Sequence, residues 1–183
     1  MYETKRLILR EWQAGDLEPF VAMNQDPNVM QYFPSTYSRE QSMQQIANYQ
    51  TALQKYCYTM FACELKTTKE FIGFVGLMRR ESGYPFAPCT EIGWRIAYEF
   101  WNNGYATEAA FKCLDLGFKN FNLDKIGTLK SPPLFHGNKL EDLPDWFEKY
   151  SFVDSLDISS NSFSTFPKIL SRHLLPSFQI KSM

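Results

Sequence analysis

Five segments of the chain predict β-strands, and the clearest of them alternate hydrophobic and polar residues as a half-buried strand does. The segments span residues 6–12, 58–65, 71–78, 89–96 and 123–129. A polar run at residues 66–70 joins the second segment to the third, and its length is typical of a hairpin connection. These two strands are therefore predicted to form the middle of an antiparallel sheet.

Residues at helical spacing predict two helices between the first two strands. The first helix follows Asp16, which is a candidate N-cap. The second begins at Ser38, because the run from Ser38 to Gln41 has the pattern of a capping box. The predicted inward faces contain Leu17, Phe20, Val21 and Asn24 in the first helix, and Met43, Ile46, Ala47, Gln50 and Leu53 in the second.

The fourth strand, Cys89–Ile96, has two faces of different chemistry. One face carries Thr90, Ile92, Trp94 and Ile96. The other carries Glu91, Gly93 and Arg95, and we expect it to be the open face. A glycine on that face is typical of a bulge or of a place where another backbone approaches closely.

A short loop that contains Gly104, residues 102–104, follows this strand and leads directly into a helix. The helix is predicted from the spacing of Ala106, Ala109, Ala110, Cys113, Leu114, Gly117, Phe118 and Phe121. A helix start presents unpaired backbone N–H groups and the positive end of the helix dipole, which suit a phosphate or a pyrophosphate. The loop therefore predicts a phosphate-bearing cofactor.

Residues 91–109 resemble the acyl-CoA-binding motif of the GNAT superfamily of N-acetyltransferases, most closely its ribosomal-protein alanine N-acetyltransferase branch. The pattern W-G-x-G-Y-A-T-E-A is matched by Trp101, Gly104, Tyr105, Ala106, Thr107, Glu108 and Ala109, and Asn102 replaces one family glycine. The resemblance covers residues 6–129. It implies an α/β fold of the α+β kind, with helices flanking a mixed, mostly antiparallel sheet, and acetyl-CoA as the cosubstrate.

Acetyl transfer to an amine requires a bound thioester and a group that accepts a proton from the ammonium. The loop amides are predicted to hold the pyrophosphate, and the edge of the preceding strand to pair with pantetheine amides. Glu91 is the candidate general base, directly or through water; its alternative role is an ion pair with Arg80 or Arg95. Glu108, in the first turn of the helix, is predicted to be structural. The candidate cofactor-binding residues are Ile92, Gly93, Trp94, Arg95, Ile96, Trp101, Asn102, Asn103, Gly104, Tyr105, Ala106 and Thr107.

Charge and cysteine content argue against several other classes of protein. The formal net charge is −1 and the pI is near 6.1, so we expect neither a nucleic-acid nor a membrane partner. No apolar run approaches the roughly 18 residues of a spanning helix. The N-terminus is polar and lacks a secretory pattern, so we expect a cytoplasmic protein. The four cysteines form no C-x-x-C pair and the histidines are His136 and His173, so we expect reduced thiols and no metal site.

The last third of the chain is atypical of the GNAT pattern. Residues 138–147 and 161–170 superpose with a shift of 23 residues, a period within the range of leucine-rich repeats. Residues 153–163 also resemble that family's strand and asparagine turn. We therefore expect a GNAT-like acetyl-CoA-binding domain at residues 1–129. Residues 130–183 are expected to be a leucine-rich-repeat-like tail, which would leave that domain incomplete, or a divergent end of the GNAT domain. No general acid is assigned to Tyr150.

These observations support two classes of function. The first is an N-acetyltransferase that acts on a primary amine, with a protein N-terminus or a small amine as the acceptor. The second is a non-catalytic CoA-binding or protein-interaction module, in which the tail offers a surface to a protein partner. A truncated or fused product that folds poorly is the third alternative. The acceptor depends on loops such as residues 80–88, whose geometry the sequence does not specify.

Overall fold

The computed structural model describes residues 1–82 and 87–127. In this part of the chain five strands form one sheet in chain order, and each pairs antiparallel with the next. The strands are β1 (Tyr2–Glu3), β2 (Leu7–Arg10), β3 (Met60–Leu65), β4 (Phe71–Arg80) and β5 (Cys89–Ile96). The predicted α/β fold is confirmed, and the β3–β4 hairpin lies where the sequence predicts it. The sequence does not predict β1, because two residues are too few for a periodic signal.

β5 continues the sheet on its far side through one parallel bridge. The N–H of Gly127 donates to the carbonyl of Thr90, and the N–H of Ile92 donates to the carbonyl of Gly127, each at 2.9 Å. Gly127 falls within the strand predicted at residues 123–129. The described sheet is therefore antiparallel, with one isolated parallel bridge at Gly127 beside the first half of β5.

Four α-helices accompany the sheet within the described residues: α1 (Leu17–Gln25), α2 (Pro27–Met30), α3 (Arg39–Tyr56) and α4 (Tyr105–Lys119). The capping box of α3 is confirmed, since the Ser38 hydroxyl accepts from the Gln41 N–H and the Gln41 side chain accepts from the Ser38 N–H. Asp16 occupies the N-cap position of α1 but makes no cap hydrogen bond. Its carboxylate instead accepts two bonds from Arg10, at 2.7 and 2.8 Å.

The helices cover both faces of the sheet. Ala109, Ala110 and Cys113 of α4 pack in one core with Ile92 and Ile96 of β5. The other core joins α1 and α3 to the opposite face, through Phe20, Met23, Tyr49, Ala52, Met60, Phe74 and Met78. β5 is thus placed between the two layers, with α4 starting directly beyond its end.

The inward face of α3 differs from the prediction. The buried residues of the helix are Ser42, Tyr49 and Ala52. The predicted inward residues that lie exposed are Met43, Ala47 and Gln50. Tertiary partners decide the rotation of the helix: the Asn24 amide donates to the Ser42 hydroxyl at 2.9 Å, and the Tyr49 ring stacks on Trp12 with ring centroids 5.7 Å apart. Those partners lie outside the helix, so its own periodicity does not reveal them.

Residues 83–86 and 128–183 lie outside the described part. The repeat-like tail, its alternative as a divergent end of the domain and the domain boundary near residue 129 therefore remain predictions. Among the helices of residues 1–82 and 87–127, none is long and apolar enough to cross a bilayer.

Candidate active site

The loop after β5 enters α4 through two residues with left-handed backbone. Asn102 has a φ of 60°, and Gly104, at the N-cap of α4, has a φ of 74° and a ψ of 9°. Glycine adopts this region freely, and asparagine adopts it more readily than most other residues. Asn102 therefore supplies a backbone conformation that suits a glycine at the same place.

The start of α4 leaves backbone donors unpaired. The N–H groups of Gly104, Tyr105, Ala106 and Thr107 donate to no acceptor among the described residues, and the first bond of the helix runs from the Glu108 N–H to the Gly104 carbonyl at 3.0 Å. The Thr107 hydroxyl is also buried without a partner in this part of the chain. Convergent N–H groups at the positive end of a helix dipole fit a phosphate or a diphosphate.

Glu108 anchors this loop to the segment between β1 and β2. One carboxylate oxygen accepts from the Thr4 hydroxyl at 2.5 Å and from the Arg6 N–H at 2.8 Å, and the other accepts from Arg6 Nε at 2.6 Å. Arg6 Nη1 also donates to the Asn103 carbonyl at 2.9 Å, and its guanidinium lies 4.4 Å from the centre of the Tyr105 ring. The N-terminal segment therefore holds the loop from both sides of Gly104.

The same contacts place a negative charge, on Glu108, and a positive charge, on Arg6, beside the start of α4. Burial on its own raises the pKa of Glu108, but the hydrogen bonds from Thr4 and Arg6 outweigh it, so that the pKa is lowered overall. The Arg6 Nη2 atom lies 3.6 Å from the point where a Cβ on Gly104 would stand. Glu108 thus has the structural role that the sequence predicts for it, and Arg6 adds a cation beside the unpaired amides.

The outer edge of β5 offers a short stretch of backbone for a ligand. The even-numbered residues of β5 direct their polar groups away from β4, as the bonds of Thr90 and Ile92 to Gly127 show. Further along, the Ile96 carbonyl accepts from the Trp101 indole at 2.7 Å. Between these bonds lie both polar groups of Trp94, which have no partner among the described residues. This stretch can pair with an amide-bearing chain as an added strand does.

Glu91 forms an ion pair. It lies on the face of β5 opposite the one that packs against α4. Its carboxylate accepts from Arg80 Nε at 2.7 Å, and it is half-buried. This pair is one of the two alternatives that the sequence offers to a catalytic role. Proton uptake by Glu91 would break its ion pair with Arg80. Its use as a general base remains a prediction.

Gly93 continues the pairing of β5 with β4 without a bulge. It lies opposite Gly76 in an unbroken register, so the structure contradicts the bulge, one of the two alternatives that the sequence offers for this glycine. A Cβ at Gly93 would lie 3.0 Å from the terminal methyl group of Met60. The glycine therefore accommodates a side chain of β3.

Arg95 is buried, and the expectation of an open face is wrong at this position. Its exposed fraction is 6 %, and Nη1 donates to the Asn24 side-chain oxygen at 2.5 Å. The guanidinium lies 4.4 Å from the centre of the Phe33 ring and 5.3 Å from that of Tyr37. Both aromatic residues belong to the connection between α2 and α3, which covers this end of the strand.

Comparison with known families settles the class of protein. The sequence matches the family model described as an acetyltransferase (GNAT) domain over residues 6–132. This chain belongs to the GNAT acetyltransferase family. It is 32 % identical over 129 residues to the uncharacterized N-acetyltransferase YoaA of Bacillus subtilis (strain 168), a match that covers 69 % of this chain and 71 % of that relative.

Solved GNAT structures resemble the described fold. An acetyltransferase of the GNAT family from Bacillus anthracis is 26 % identical with a TM-score of 0.56, covering 68 % of this chain and 69 % of that one. Spermidine N-acetyltransferase from Vibrio cholerae, solved in complex with CoA and spermine, is 28 % identical with a TM-score of 0.52, covering 66 % of this chain and 68 % of that one. The latter is a GNAT neighbour whose structure contains CoA.

The GNAT motif predicted from the sequence forms two adjoining surfaces. The loop and helix start, from Trp101 to Thr107, lie directly beyond the end of β5. The backbone of Ile92, Trp94 and Ile96 forms the strand edge that leads to them. The side chains of Glu91 and Arg95 lie on the face of β5 that is turned away from α4.

Sequence reasoning missed Thr4 and Arg6. They contact Glu108 across 104 and 102 residues of sequence, and no periodic signal links such distant positions.

The remaining expectations concern metals and thiols. Among the described residues no group of three or more His, Cys, Asp or Glu side chains could hold a metal ion. The four cysteines are free; Cys63 and Cys113 are buried and Cys57 is exposed.

Proposed function

We propose that this GNAT protein transfers the acetyl group of acetyl-CoA to a primary amine. The observation that carries the proposal is a set of N–H groups, at residues 104–107, that have no partner among residues 1–82 and 87–127. They lie next to a strand edge where the polar groups of Trp94 also have no partner in that part of the chain. Family membership supports acetyl transfer as the reaction. The CoA in the spermidine N-acetyltransferase neighbour supports the cofactor.

Acetyl-CoA, when bound, supplies an activated acetyl group as a thioester. The backbone N–H groups of residues 104–107 would donate hydrogen bonds to its diphosphate, and Arg6 would add a positive charge beside them. The Trp94 backbone is suited to orienting its pantetheine amides. Glu91 would accept a proton from the attacking ammonium, directly or through water, once its bond to Arg80 opens.

The acceptor is proposed only as a class. A protein N-terminus and a small amine both fit the reaction, and the ribosomal-protein alanine branch is the finer proposal from the motif of residues 101–109. A cytoplasmic location is a proposal from the sequence. Family membership does not favour the alternative of a non-catalytic CoA-binding module.

Isothermal titration calorimetry with acetyl-CoA tests the cofactor site. Gly104→Asp and Gly104→Asn form a matched pair, because both place a side chain of one size at a φ of 74° and differ in charge. We expect Gly104→Asp to bind at least about tenfold more weakly than Gly104→Asn, since a carboxylate repels a diphosphate. Gly15→Asp is the control: Gly15 is exposed, and a Cβ there meets nothing within 4 Å.

The outcomes separate the alternatives. Absence of acetyl-CoA binding by the folded wild-type protein, or equal affinities of the two Gly104 variants, would contradict the cofactor site. Release of CoA thiol after addition of peptides with free N-termini or of small amines tests the reaction itself. Binding of acetyl-CoA without thiol release from any such amine would favour the non-catalytic module.

A further inference from the structure

Arg95 is a buried cation without a carboxylate partner in the described part of the chain. Its neighbours are the neutral Asn24 side chain and the rings of Phe33, Tyr37 and Phe74. Its Nε atom is buried and makes no hydrogen bond there. Burial lowers the pKa of Arg95, against the opposing influence of Tyr49 and Tyr37, the latter through a side-chain hydrogen bond.

Such an arrangement is unusual for a purely structural arginine. Charged groups are costly to bury unless they are paired, and most buried polar atoms have a partner. Aromatic rings recover part of this cost through cation–π attraction. A carboxylate bound at the Nε edge would satisfy both the charge and the orphaned N–H group.

The sheet face beside Arg95 carries a glycine whose side-chain position is filled by the end of Met60. Gly93, the neighbour of Arg95 on this face, has no side chain, and within 4 Å of its Cβ direction the described residues place only the thioether end of Met60. A methionine end is flexible and adapts to different contents. Two residues along a strand span about 7 Å, so a group beside Gly93 is within reach of the Arg95 guanidinium.

A bound cofactor would bring the reacting acetyl group to this part of β5. A pantetheine chain held at the loop and paired with the Trp94 backbone would extend along β5 toward Ile92 and Gly93. An amine that attacks there would carry its other end toward Arg95. The charge of Arg95 would then discriminate among acceptors, since it attracts an anionic end and repels a cationic one.

We propose that Arg95 binds a carboxylate group of the acceptor amine. The inference rests on the proposed acetyl transfer and adds the class of its acceptor: a compound with a primary amine and a carboxylate several ångströms apart. Phe33 and Tyr37 form the walls of this site, and Asn24 orients the guanidinium. Polyamines are excluded as good acceptors by the same charge.

Nuclear magnetic resonance of the Arg95 Nε–Hε group tests the site without any turnover. The probe is sodium butyrate, with sodium chloride at equal concentration as the control and Arg95→Lys for assignment of the signal. We expect a saturable shift with butyrate and none with chloride. A missing shift, or equal shifts with both salts, would overturn the proposal, whether or not acetyl-CoA binds.

Asn24→Asp provides a matched variant, because it changes an amide to a carboxylate 2.5 Å from Arg95 Nη1 without changing the size of the side chain. The new carboxylate should supply the missing countercharge and weaken butyrate binding at least about tenfold. Unchanged butyrate binding in folded Asn24→Asp would also overturn the proposal.

Acceptor kinetics test the same claim in turnover. The probes are β-alanine and γ-aminobutyrate, each compared with its carboxamide, and spermidine. We expect the carboxylates to have a kcat/KM at least about tenfold higher than the amides, and Arg95→Gln to remove this ratio while acetyl-CoA affinity is retained. A preference for the amides or for spermidine, or a ratio that survives in Arg95→Gln, would contradict a carboxylate site.

Discussion

Arg10 and Arg95 are both buried arginines in strands of one sheet, yet their surroundings differ in charge. Arg10, 8 % exposed, donates two bonds to the Asp16 carboxylate and one to Glu64 at 2.6 Å. Arg95 donates to a neutral amide oxygen, has a side-chain hydrogen bond with Tyr37 and lies beside three aromatic rings. The bonds to Asp16 raise the pKa of Arg10, whereas burial lowers that of Arg95.

The difference separates an arginine that completes the fold from one that is suited to a ligand. The ion pairs of Arg10 join β2 to β3 and to the start of α1, and they leave its charge balanced. The charge of Arg95 is not balanced by any described residue. Substitutions at arginines of different burial and pairing should therefore produce a graded series of effects.

The largest effect should follow Arg10→Met. This variant removes the cation that pairs with the buried Asp16 carboxylate and with the partly buried Glu64 carboxylate, and leaves Glu64 only Lys69 at 4.0 Å. We expect the free energy of unfolding to fall by about 3–5 kcal/mol. Urea denaturation followed by circular dichroism gives the value, and a loss below about 1 kcal/mol would show that solvent reaches these carboxylates.

A smaller effect should follow Glu108→Gln, which removes the charge from the contact with Arg6. We expect a loss of about 1–2 kcal/mol, discounted for solvent screening because the Arg6 side chain is 41 % exposed. The affinity for acetyl-CoA should fall by a few fold, since the loop is less firmly held. Full retention of both properties would contradict the role of the contact in holding the loop.

The pH dependence of this effect has a defined sign. The folded-state pKa of Glu108 lies below its ordinary value of 4.5, so its contribution is fully present above that value. It is lost as the pH falls through the lowered folded-state pKa. The difference in unfolding free energy between wild type and Glu108→Gln should therefore be constant above about pH 5.5 and shrink below about pH 4.5.

Arg95→Met should change stability less than either variant. It removes a desolvated charge, which stabilises, but leaves the buried Asn24 oxygen unpaired, which destabilises. We expect the free energy of unfolding to stay within about 1 kcal/mol of the wild type. A loss as large as that of Arg10→Met would mean that Arg95 is chiefly structural.

The smallest effect should follow Arg39→Ala. The ion pair of Arg39 with Glu18 is solvent-exposed on both sides, and such pairs contribute little. We expect an unchanged urea midpoint and unchanged acetyl-CoA binding. A measurable loss of stability would contradict the expectation that this exposed ion pair contributes little.

The sequence predicts the elements that have strong local signals. The bounds of β5 and the capping box of α3 are as predicted, because alternation and capping residues act within a few positions. The prediction of the inward face of α3 is wrong, because contacts with Asn24 and Trp12, which lie outside the helix, decide which face is buried. Periodicity identifies which face of a strand a residue occupies, as for Arg95, but does not reveal what covers that face.

The candidate site divides in the same way. The left-handed glycine at Gly104 and the helix start after it follow from the sequence, since the glycine and the helix are adjacent in the chain. The contact of Glu108 with Thr4 and Arg6 is not, because the partners lie more than 100 residues apart. The acceptor side depends on the connection between α2 and α3, where Phe33 and Tyr37 carry no local signal of their contact with β5.

The most direct test of the account is a titration of isotopically labelled protein with CoA, followed through the backbone amide resonances. We expect the amides of Gly104, Tyr105, Ala106 and Thr107 to show the largest saturable shifts, because these donors at the start of α4 have no acceptor within the described part of the chain. Saturable shifts elsewhere, with these four amides unchanged, would contradict diphosphate binding at this helix and with it the proposed acetyl transfer.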